Sequence, residues 1–240
     1  MPTEQTLAAE LDRQHHQRQQ FQAVTDDLDH AYRIQDALIA LRMARGAGPI
    51  VGWKAGLTTK RMQEFCGVDQ PIFGPILAAG MKPSPAELRA SDFGRLGVES
   101  ELALRVGADG IDAICAAFEI IDDRAADYSR LSAAGIAADG AWNSGIILGP
   151  PVAQFGSLNG LEGALSVNGA ETGRGRSEDA GGDPRRIYDW VGAAIAARGR
   201  EYVPGQWVST GSIVTTWFAK PGDRLKFTLG DLPPVELAVS

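Results

Sequence analysis

The sequence contains little cysteine. Cys66 and Cys115 are the two cysteines among 240 residues, which is too few for a disulfide framework or a thiolate metal site. Unpaired thiols are typical of proteins in a reducing compartment. We therefore expect a cytoplasmic protein whose cysteines are free.

The chain also lacks long hydrophobic runs and an excess of basic residues. No apolar run approaches the ~20 residues of a membrane span, and the polar N-terminus has no signal-peptide core. The net charge is −7 and the isoelectric point is about 5.0. This charge argues against a nucleic-acid backbone or an anionic membrane as the main partner. We expect a globular protein that binds neither.

The composition that remains is that of an ordinary globular chain, with 44% hydrophobic and 22% charged residues. The first 47 residues are predicted to be helical, and residues 5–20 to form a solvated helix. Thr25 is predicted to cap a helix. Because neighbouring positions on a helix do not share a face, His15 and His16 are not expected to form a metal-binding pair.

From Ile50 onward the sequence predicts a mixed sheet with loops, because glycine, proline and β-branched residues become frequent. Residues 97–106 alternate and predict a strand with one largely apolar face. Asp183 and Pro184 predict the start of a further helix. Alternating residues predict two strands near the C-terminus. We expect a helical segment over 1–48 and a β-rich unit over 49–240, together forming one structural unit.

Two carboxylates stand two positions apart in the predicted strand. Glu99 and Glu101 therefore point to the same side, where two unpaired anions would repel each other. A hard divalent cation such as Mg²⁺ removes that repulsion, since it prefers oxygen ligands. The alternative is an exposed strand face, because the Glu-x-Glu pattern is common.

A third carboxylate makes a metal site more specific. Glu119 lies in the apolar run 116–121, where a lone buried charge would be costly. With Glu99 and Glu101 it predicts a site for Mg²⁺ or Mn²⁺ that keeps open positions for a substrate. The alternative is an ion pair of Glu119 with Arg124 or Lys54.

Lys54 is the candidate for proton transfer. It lies in the mostly apolar, glycine-flanked stretch 50–58, where desolvation predicts a lowered pKa and proton exchange near neutral pH. The alternative is a surface lysine whose stem lies along apolar residues. Further along the chain, residues 209–212 follow a strand and offer hydroxyls and backbone N–H groups to a carboxylate.

Taken in order along the chain, several motifs resemble the 2-keto-4-pentenoate hydratase and 2-oxo-3-hexenedioate decarboxylase family, part of the fumarylacetoacetate hydrolase superfamily. They are GWKAGLT at 52–58, GVDQP at 67–71, VESE at 98–101, FEIID at 118–122, ADGAWNSG at 138–145, TGS at 210–212 and KPGD at 220–223. The resemblance covers nearly the whole chain. The ordered set is more specific than any single motif.

The resemblance implies an α+β fold, with a mixed β-roll core of the fumarylacetoacetate hydrolase C-terminal type and N-terminal helices. It implies Mg²⁺ or Mn²⁺ as cofactor, and it places metal ligation on Glu99, Glu101 and Glu119 and catalysis on Lys54. Substrate binding is expected at five further residues: Asn143, Ser144, Thr210, Gly211 and Ser212. It also implies a homo-oligomer that acts on a small 2-oxo or 2-hydroxydienoate acid.

The expected activity is that of a lyase, a metal-dependent hydratase of 2-hydroxy-2,4-dienoates in aromatic meta-cleavage catabolism. A 2-oxo-3-hexenedioate (4-oxalocrotonate) decarboxylase is the main alternative, followed by an acylpyruvate C–C hydrolase and a non-catalytic partner subunit. Hydrolysis needs a base to activate water, and His15, His16 and His30 all lie in the predicted N-terminal helices, away from the motifs.

Three departures from the family pattern leave the exact reaction open. Ile72 stands where the hydratases commonly have an acid. The Asp-Asn pair of the family pattern is replaced by Asp139 and Gly140, and the bulky Trp142 follows soon after. The segment between Glu101 and Glu119 is short. None of the three removes a predicted metal ligand.

Overall fold

The described part of the chain, residues 2–240 of a computed structural model, contains helices that pack on two β-sheets. The α-helices run over Glu4–His16 (α1), Leu28–Arg42 (α2), Lys60–Phe65 (α3), Ala133–Ala138 (α4) and Pro184–Ala196 (α5). A π-helical turn, Met43–Ala47, follows α2 directly.

Most of the chain after residue 49 forms strands or the turns between them. The strands are Ile50–Gly56 (β1), Ile72–Leu77 (β2), Met81–Pro83 (β3), Ala86–Leu88 (β4), Leu96–Gly107 (β5), Gly110–Asp122 (β6), Asn143–Leu148 (β7), Glu162–Val167 (β8), Ala170–Arg176 (β9), Trp207–Ser212 (β10), Trp217–Phe218 (β11), Arg224–Leu229 (β12) and Leu232–Val239 (β13).

The strands form a mixed eight-stranded sheet and a five-stranded sheet. The larger sheet has the order β2-β1-β10-β5-β6-β7-β3, with β11 paired to β5, and the smaller has the order β4-β13-β12-β8-β9. The core lies partly between the two sheets, where the buried rings of Phe118 and Phe227 are 6.3 Å apart. The expected α+β class is confirmed.

The long hairpin of β5 and β6 is the centre of the larger sheet. Alternate residues of β5, such as Val98 and Leu102, are fully buried in the core, as the alternation predicts. The strands are joined by a two-residue turn at 108–109. The short segment between Glu101 and Glu119 is therefore the end of this hairpin, without an inserted helix.

The other predicted elements are confirmed where their local signals are strong. Helix α5 begins at Pro184, and the side chain of Asp183 accepts a hydrogen bond at its N-terminus. Strands β12 and β13 pair with each other in an antiparallel hairpin. The division of the chain at residue 48 stays a prediction.

The prediction that the first 47 residues are helical is confirmed in part. Residues 17–27 separate α1 from α2, and the cap of α2 is Asp27 instead of Thr25. The Asp27 carboxylate accepts the His30 backbone N–H at 2.6 Å. Local signals favour either cap, since both side chains can accept such a bond.

The prediction that residues 5–20 form a solvated helix is wrong. Helix α1 packs against α2 and buries one side, which carries four residues: Ala8, Leu11, Asp12 and Gln14. Two of these are polar, so the hydrophobic periodicity of the helix is weak and its buried face is hard to recognise. Within residues 2–240, no helix combines the length and the apolar character needed to cross a membrane.

Candidate metal centre and active site

Three carboxylates meet on one face of the larger sheet. Glu99 and Glu101 lie on β5, and Glu119 on β6 is the direct cross-strand partner of Glu99. Each residue offers one oxygen, and these three atoms lie within 4.8 Å of one another. Glu101 and Glu119 are fully buried, whereas Glu99 is partly exposed. The hairpin register therefore brings together the three glutamates that the sequence singles out.

Donors on β10, on β7 and in the segment between β10 and β11 each bind one oxygen of a carboxylate. Glu101 Oε2 accepts hydrogen bonds from the Ser209 hydroxyl and from the Gly211 backbone N–H at 2.8 Å. Glu99 Oε1 accepts from the Thr216 hydroxyl at 2.6 Å, and Glu119 Oε1 accepts from Asn143 Nδ2 at 2.9 Å. The side chains are thereby fixed in place.

The Gly211 N–H reaches Glu101 because the pairing of β10 with β5 is irregular between Ser209 and Ser212. Gly211 has a φ angle of +106°, a conformation that L-residues rarely adopt. A Cβ at this position would lie 2.6 Å from Thr58 Oγ1. Both observations account for a glycine at position 211.

Two carboxylate oxygens in the cluster remain without a donor. Within residues 2–240, Glu101 Oε1 and Glu119 Oε2 are buried and find no hydrogen-bond partner. Buried acceptors are normally satisfied, and an orphaned one is costly. Oxygens of this kind, held together in one cluster, fit a hard divalent cation such as Mg²⁺. The donor set of the site thus agrees with the expected cofactor.

Lys54 lies against the same cluster. Its Nζ is 3.1 Å from Glu119 Oε1, and the residue is 4% exposed. The ion pair considered as an alternative for Glu119 therefore also exists, and its partner is Lys54. The alternative prediction, that Lys54 is a surface lysine, is therefore wrong.

The lowered pKa expected for Lys54 is also wrong. Burial acts to lower the pKa of the ammonium, but the attraction of Glu119, Glu99 and Glu101 is stronger in sum and raises the pKa above its ordinary value. The lysine therefore carries a proton at neutral pH. Desolvation alone predicts a lowered pKa for Lys54, and the three anions that face the amine reverse this direction.

The pKa values of the two buried carboxyls, Glu101 and Glu119, are raised, as expected from burial. Desolvation, together with the charge of Glu99, raises the pKa of Glu101 to about 7, although Lys54 and the hydrogen bonds to Ser209 and Gly211 oppose the rise. Desolvation likewise raises the pKa of Glu119 well above its ordinary value. Without a cation, Glu101 and Glu119 therefore retain their protons to a higher pH than an ordinary glutamate does.

The five residues predicted to bind substrate make different contacts in the structure. Asn143 and Gly211 contact the carboxylates directly. The hydroxyl of Thr210 donates to the Leu102 carbonyl, and that of Ser212 donates to the Val214 carbonyl. Ser144 lines a cleft of about 470 Å³ between α2 and the edge of the larger sheet. Substrate contact by these residues stays a prediction.

Sequence reasoning missed Thr216 and His15. No local signal marks Thr216 as a hydrogen-bond donor to a carboxylate. His15 Nε2 lies 2.8 Å from Asp139 Oδ1, within the ADGAWNSG motif. The prediction that all histidines lie away from the motifs is therefore wrong for His15, because the packing of α1 brings together residues that are 124 positions apart.

Ile72 adjoins the amine of Lys54. It is 1% exposed, and a Cβ at Gly56 would lie 3.3 Å from Ile72 Cγ1 and 3.4 Å from Lys54 Nζ. The position that the family pattern predicts to hold an acid thus carries a buried apolar side chain near the lysine.

Comparison with curated proteins finds hydratases. The chain is 26% identical over 220 residues to a 2-hydroxyhexa-2,4-dienoate hydratase of Comamonas testosteroni, covering 84% of this chain and 82% of that one. It is 27% identical over 214 residues to a 2-keto-4-pentenoate hydratase of Paraburkholderia xenovorans, covering 82% and 78%. No protein-family model matches the chain.

Among solved structures, the fold matches that of a 4-oxalocrotonate decarboxylase from Pseudomonas putida G7, complexed with magnesium and adipate. The TM-score is 0.93 at 22% identity, and the match covers 100% of this chain and 99% of that one. At this identity the likeness establishes the fold. The resemblance and the fold expected from the sequence are both confirmed: the chain is similar in sequence to curated 2-keto-4-pentenoate hydratases and has the fold of 4-oxalocrotonate decarboxylase.

Proposed function

We propose that this chain is a divalent-metal-dependent lyase that hydrates 2-hydroxy-2,4-dienoates in aromatic meta-cleavage catabolism. Glu99, Glu101 and Glu119 would hold Mg²⁺ or Mn²⁺. The observation that carries the proposal is a pair of buried oxygens, Glu101 Oε1 and Glu119 Oε2, that find no donor in the described part of the chain and lie beside the ammonium of Lys54. When bound, the cation would supply Lewis-acid stabilisation of the negative charge that develops on the substrate.

The chain's own residues divide the remaining work. Ser209 and Gly211 orient Glu101, and Asn143 orients Glu119, so that the carboxylates require little rearrangement to bind a cation. Lys54 holds a proton at Nζ and would transfer it to the terminal carbon of the dienol, while the 2-hydroxyl group loses its proton and becomes the 2-oxo group. Water would then add to the remaining conjugated double bond and give the 4-hydroxy-2-oxo acid.

Two of the alternative reactions differ in how well they are supported. Curated relatives with hydratase names favour hydration. Decarboxylation of a 2-oxo-hexenedioate is the second candidate, because a 4-oxalocrotonate decarboxylase has the same fold over the whole chain. A non-catalytic subunit would have no need for buried carboxylates and a buried lysine held together.

The test is an ultraviolet assay with 2-hydroxypenta-2,4-dienoate and 2-hydroxyhexa-2,4-dienedioate, each generated enzymatically. We expect loss of the first dienol with Mg²⁺, no loss with EDTA, and a 4-hydroxy-2-oxo acid as product. Loss of the dicarboxylate with release of CO₂ would replace the hydratase proposal by the decarboxylase. Inactivity toward both, with a cation bound, would direct the test to acylpyruvates.

The proposal also includes a cytoplasmic homo-oligomer. Both cysteines are free and buried, which suits a reducing compartment. Light scattering of the purified protein tests the assembly: a mass near 25.5 kDa would identify a monomer and contradict this part of the proposal.

A further inference from the structure

The turn that leads into β7 has an unusual backbone. Gly140, Ala141 and Trp142 follow one another with φ angles of +66°, +55° and +60°. Residues other than glycine rarely adopt this left-handed conformation, and they keep it where the surrounding structure enforces it. The contacts on either side of the turn 140–142 show what enforces it here.

On one side, a buried cluster of charged and polar groups holds Asp139. The Asp139 carboxylate accepts Arg124 Nη2–H at 2.6 Å and lies 2.8 Å from His15 Nε2. Arg124 Nη1 lies 2.6 Å from His15 Nε2 and 3.1 Å from His15 Nδ1. A neutral His15 can accept from Arg124 at the ring nitrogen that lacks a hydrogen, while the other arm of the guanidinium donates to Asp139. This cluster ties α1 to the start of the turn.

Burial supports the neutral form of His15. Desolvation lowers the pKa of the imidazole, and the charges of Arg42 and Arg124 act in the same direction, whereas Asp139 opposes them. Desolvation alone would raise the pKa of Asp139, but its contacts with His15 and Arg124 outweigh burial and lower that pKa. Asp139 is therefore an anion with fixed partners.

On the other side, the turn contacts the active site. Asn143 follows Trp142 directly, and its Nδ2 donates to Glu119 Oε1, the oxygen that Lys54 also contacts. The Gly140 carbonyl lies so close to Gly74 that a Cβ there would collide with it. Gly74 is the β2 partner of Lys54. The turn is therefore connected to Glu119 through Asn143 and to Lys54 through Gly74.

We propose that His15, Arg124 and Asp139 are positioning residues for the metal centre. They hold the turn 140–142 in its left-handed form, so that Asn143 keeps Glu119 oriented toward Glu99 and Glu101. The inference rests on the proposed function in that the three glutamates bind a divalent cation. It gives helix α1 a role in a site that is otherwise formed by strands.

His16 provides a matched control for His15. It occupies the next position on α1, its side chain is 65% exposed, and it contacts Asp12 rather than the turn. A general effect of altering α1 should appear in both variants. An effect transmitted through Asp139 should appear in the His15 variant alone.

The first measurement is the affinity of the full-length protein for Mn²⁺ alone, from the electron paramagnetic resonance signal of the free ion. We expect His15→Ala to weaken binding by roughly tenfold, the size of effect typical of residues that orient metal ligands. His16→Ala should leave the affinity unchanged. His15→Gln, whose amide can donate to Asp139, should recover part of it. Wild-type affinity in His15→Ala would overturn the inference.

The second measurement needs no metal. The side-chain amide signals of Asn143, followed by nuclear magnetic resonance in metal-free protein, should shift in His15→Ala and stay in place in His16→Ala. Failure of the wild type to bind Mn²⁺ would end the proposed function, whereas identical Asn143 signals in the two variants would end the positioning role. Loss of fold in both His15 variants would assign the cluster to general stability and also overturn the inference.

Discussion

Lys54 Nζ and Asn143 Nδ2 share one acceptor, Glu119 Oε1, at 3.1 Å and 2.9 Å. Because this oxygen accepts both donors, the other oxygen of the same carboxylate is left buried and finds no donor among the described residues 2–240. The arrangement places a protonated amine and a free ligand atom on the two sides of one carboxylate. It is the structural basis for assigning proton transfer and cation binding to adjacent groups.

Glu101→Gln tests the assignment of the carboxylate cluster. The substitution removes one anionic ligand at nearly constant volume, so we expect the affinity for Mn²⁺ to fall by about 100-fold or more, with the fold retained. Calorimetric titration measures the affinity, and circular dichroism checks the fold. Glu87→Gln, at an exposed position, is the control and should bind as the wild type does. Undiminished binding in Glu101→Gln would remove Glu101 from the site.

Lys54→Met separates proton transfer from cation binding. We expect kcat to fall by about 10²–10⁴-fold, the usual contribution of a positioned acid or base. Mn²⁺ should bind as well as before or more tightly, because a competing positive charge has been removed from Glu119. Steady-state kinetics and Mn²⁺ titration are measured on the same preparation, with the exposed Lys82→Met as control. Wild-type kinetics in Lys54→Met would leave the lysine without a role in the reaction.

The raised pKa of Glu101, about 7, predicts how the stability of the metal-free protein changes with pH. Between the ordinary value of 4.5 and about 7, the folded chain holds a proton that the unfolded chain releases. The free energy of unfolding should therefore fall as pH rises through this window, by up to about 1.4 kcal/mol per pH unit, and level off above it.

Urea unfolding at a series of pH values in EDTA measures this slope. Glu101→Gln is the matched control, since glutamine does not titrate and its slope should be smaller. With saturating Mg²⁺ the decline should disappear, because the cation replaces the proton on the cluster. Equal slopes for the wild type and the variant in EDTA would show that the Glu101 carboxyl does not retain a proton.

Gly74→Ala tests the close contact between β2 and the turn 140–142. A methyl group would collide with the Gly140 carbonyl, so we expect a loss of about 1–3 kcal/mol in the free energy of unfolding. Gly156→Ala is the control, because nothing lies within 4 Å of a Cβ at that position. If both variants were equally stable, the backbone would have room to move at Gly74.

Local patterns in the sequence were sufficient to place the glutamates of the site. The alternation of β5 puts Glu99 and Glu101 on one face, and the apolar surroundings of Glu119 require a partner for its charge. The hairpin register that makes Glu119 the neighbour of Glu99 is a tertiary property. It follows from the two-residue turn at 108–109 together with the register shift between Arg105 and Val106, neither of which the local sequence specifies.

Long-range contacts account for what the sequence did not predict. His15 meets Asp139 through the packing of α1, a contact across 124 positions without a local signal. The pKa of Lys54 depends on three carboxylates that arrive from two other strands. The start of α2, after the break that follows α1, is hard to predict because Thr25 and Asp27 are both suitable N-cap residues.

The most direct test of the central claim is reconstitution of the metal-free enzyme with Mn²⁺. Bound Mn²⁺ and the rate of loss of 2-hydroxypenta-2,4-dienoate are measured in the same samples after removal of metal with EDTA. A catalytic metal centre predicts no turnover without metal, and a rate that rises in proportion to bound Mn²⁺ up to one ion per chain. Full turnover in EDTA, or Mn²⁺ bound equally well by Glu101→Gln, would contradict it.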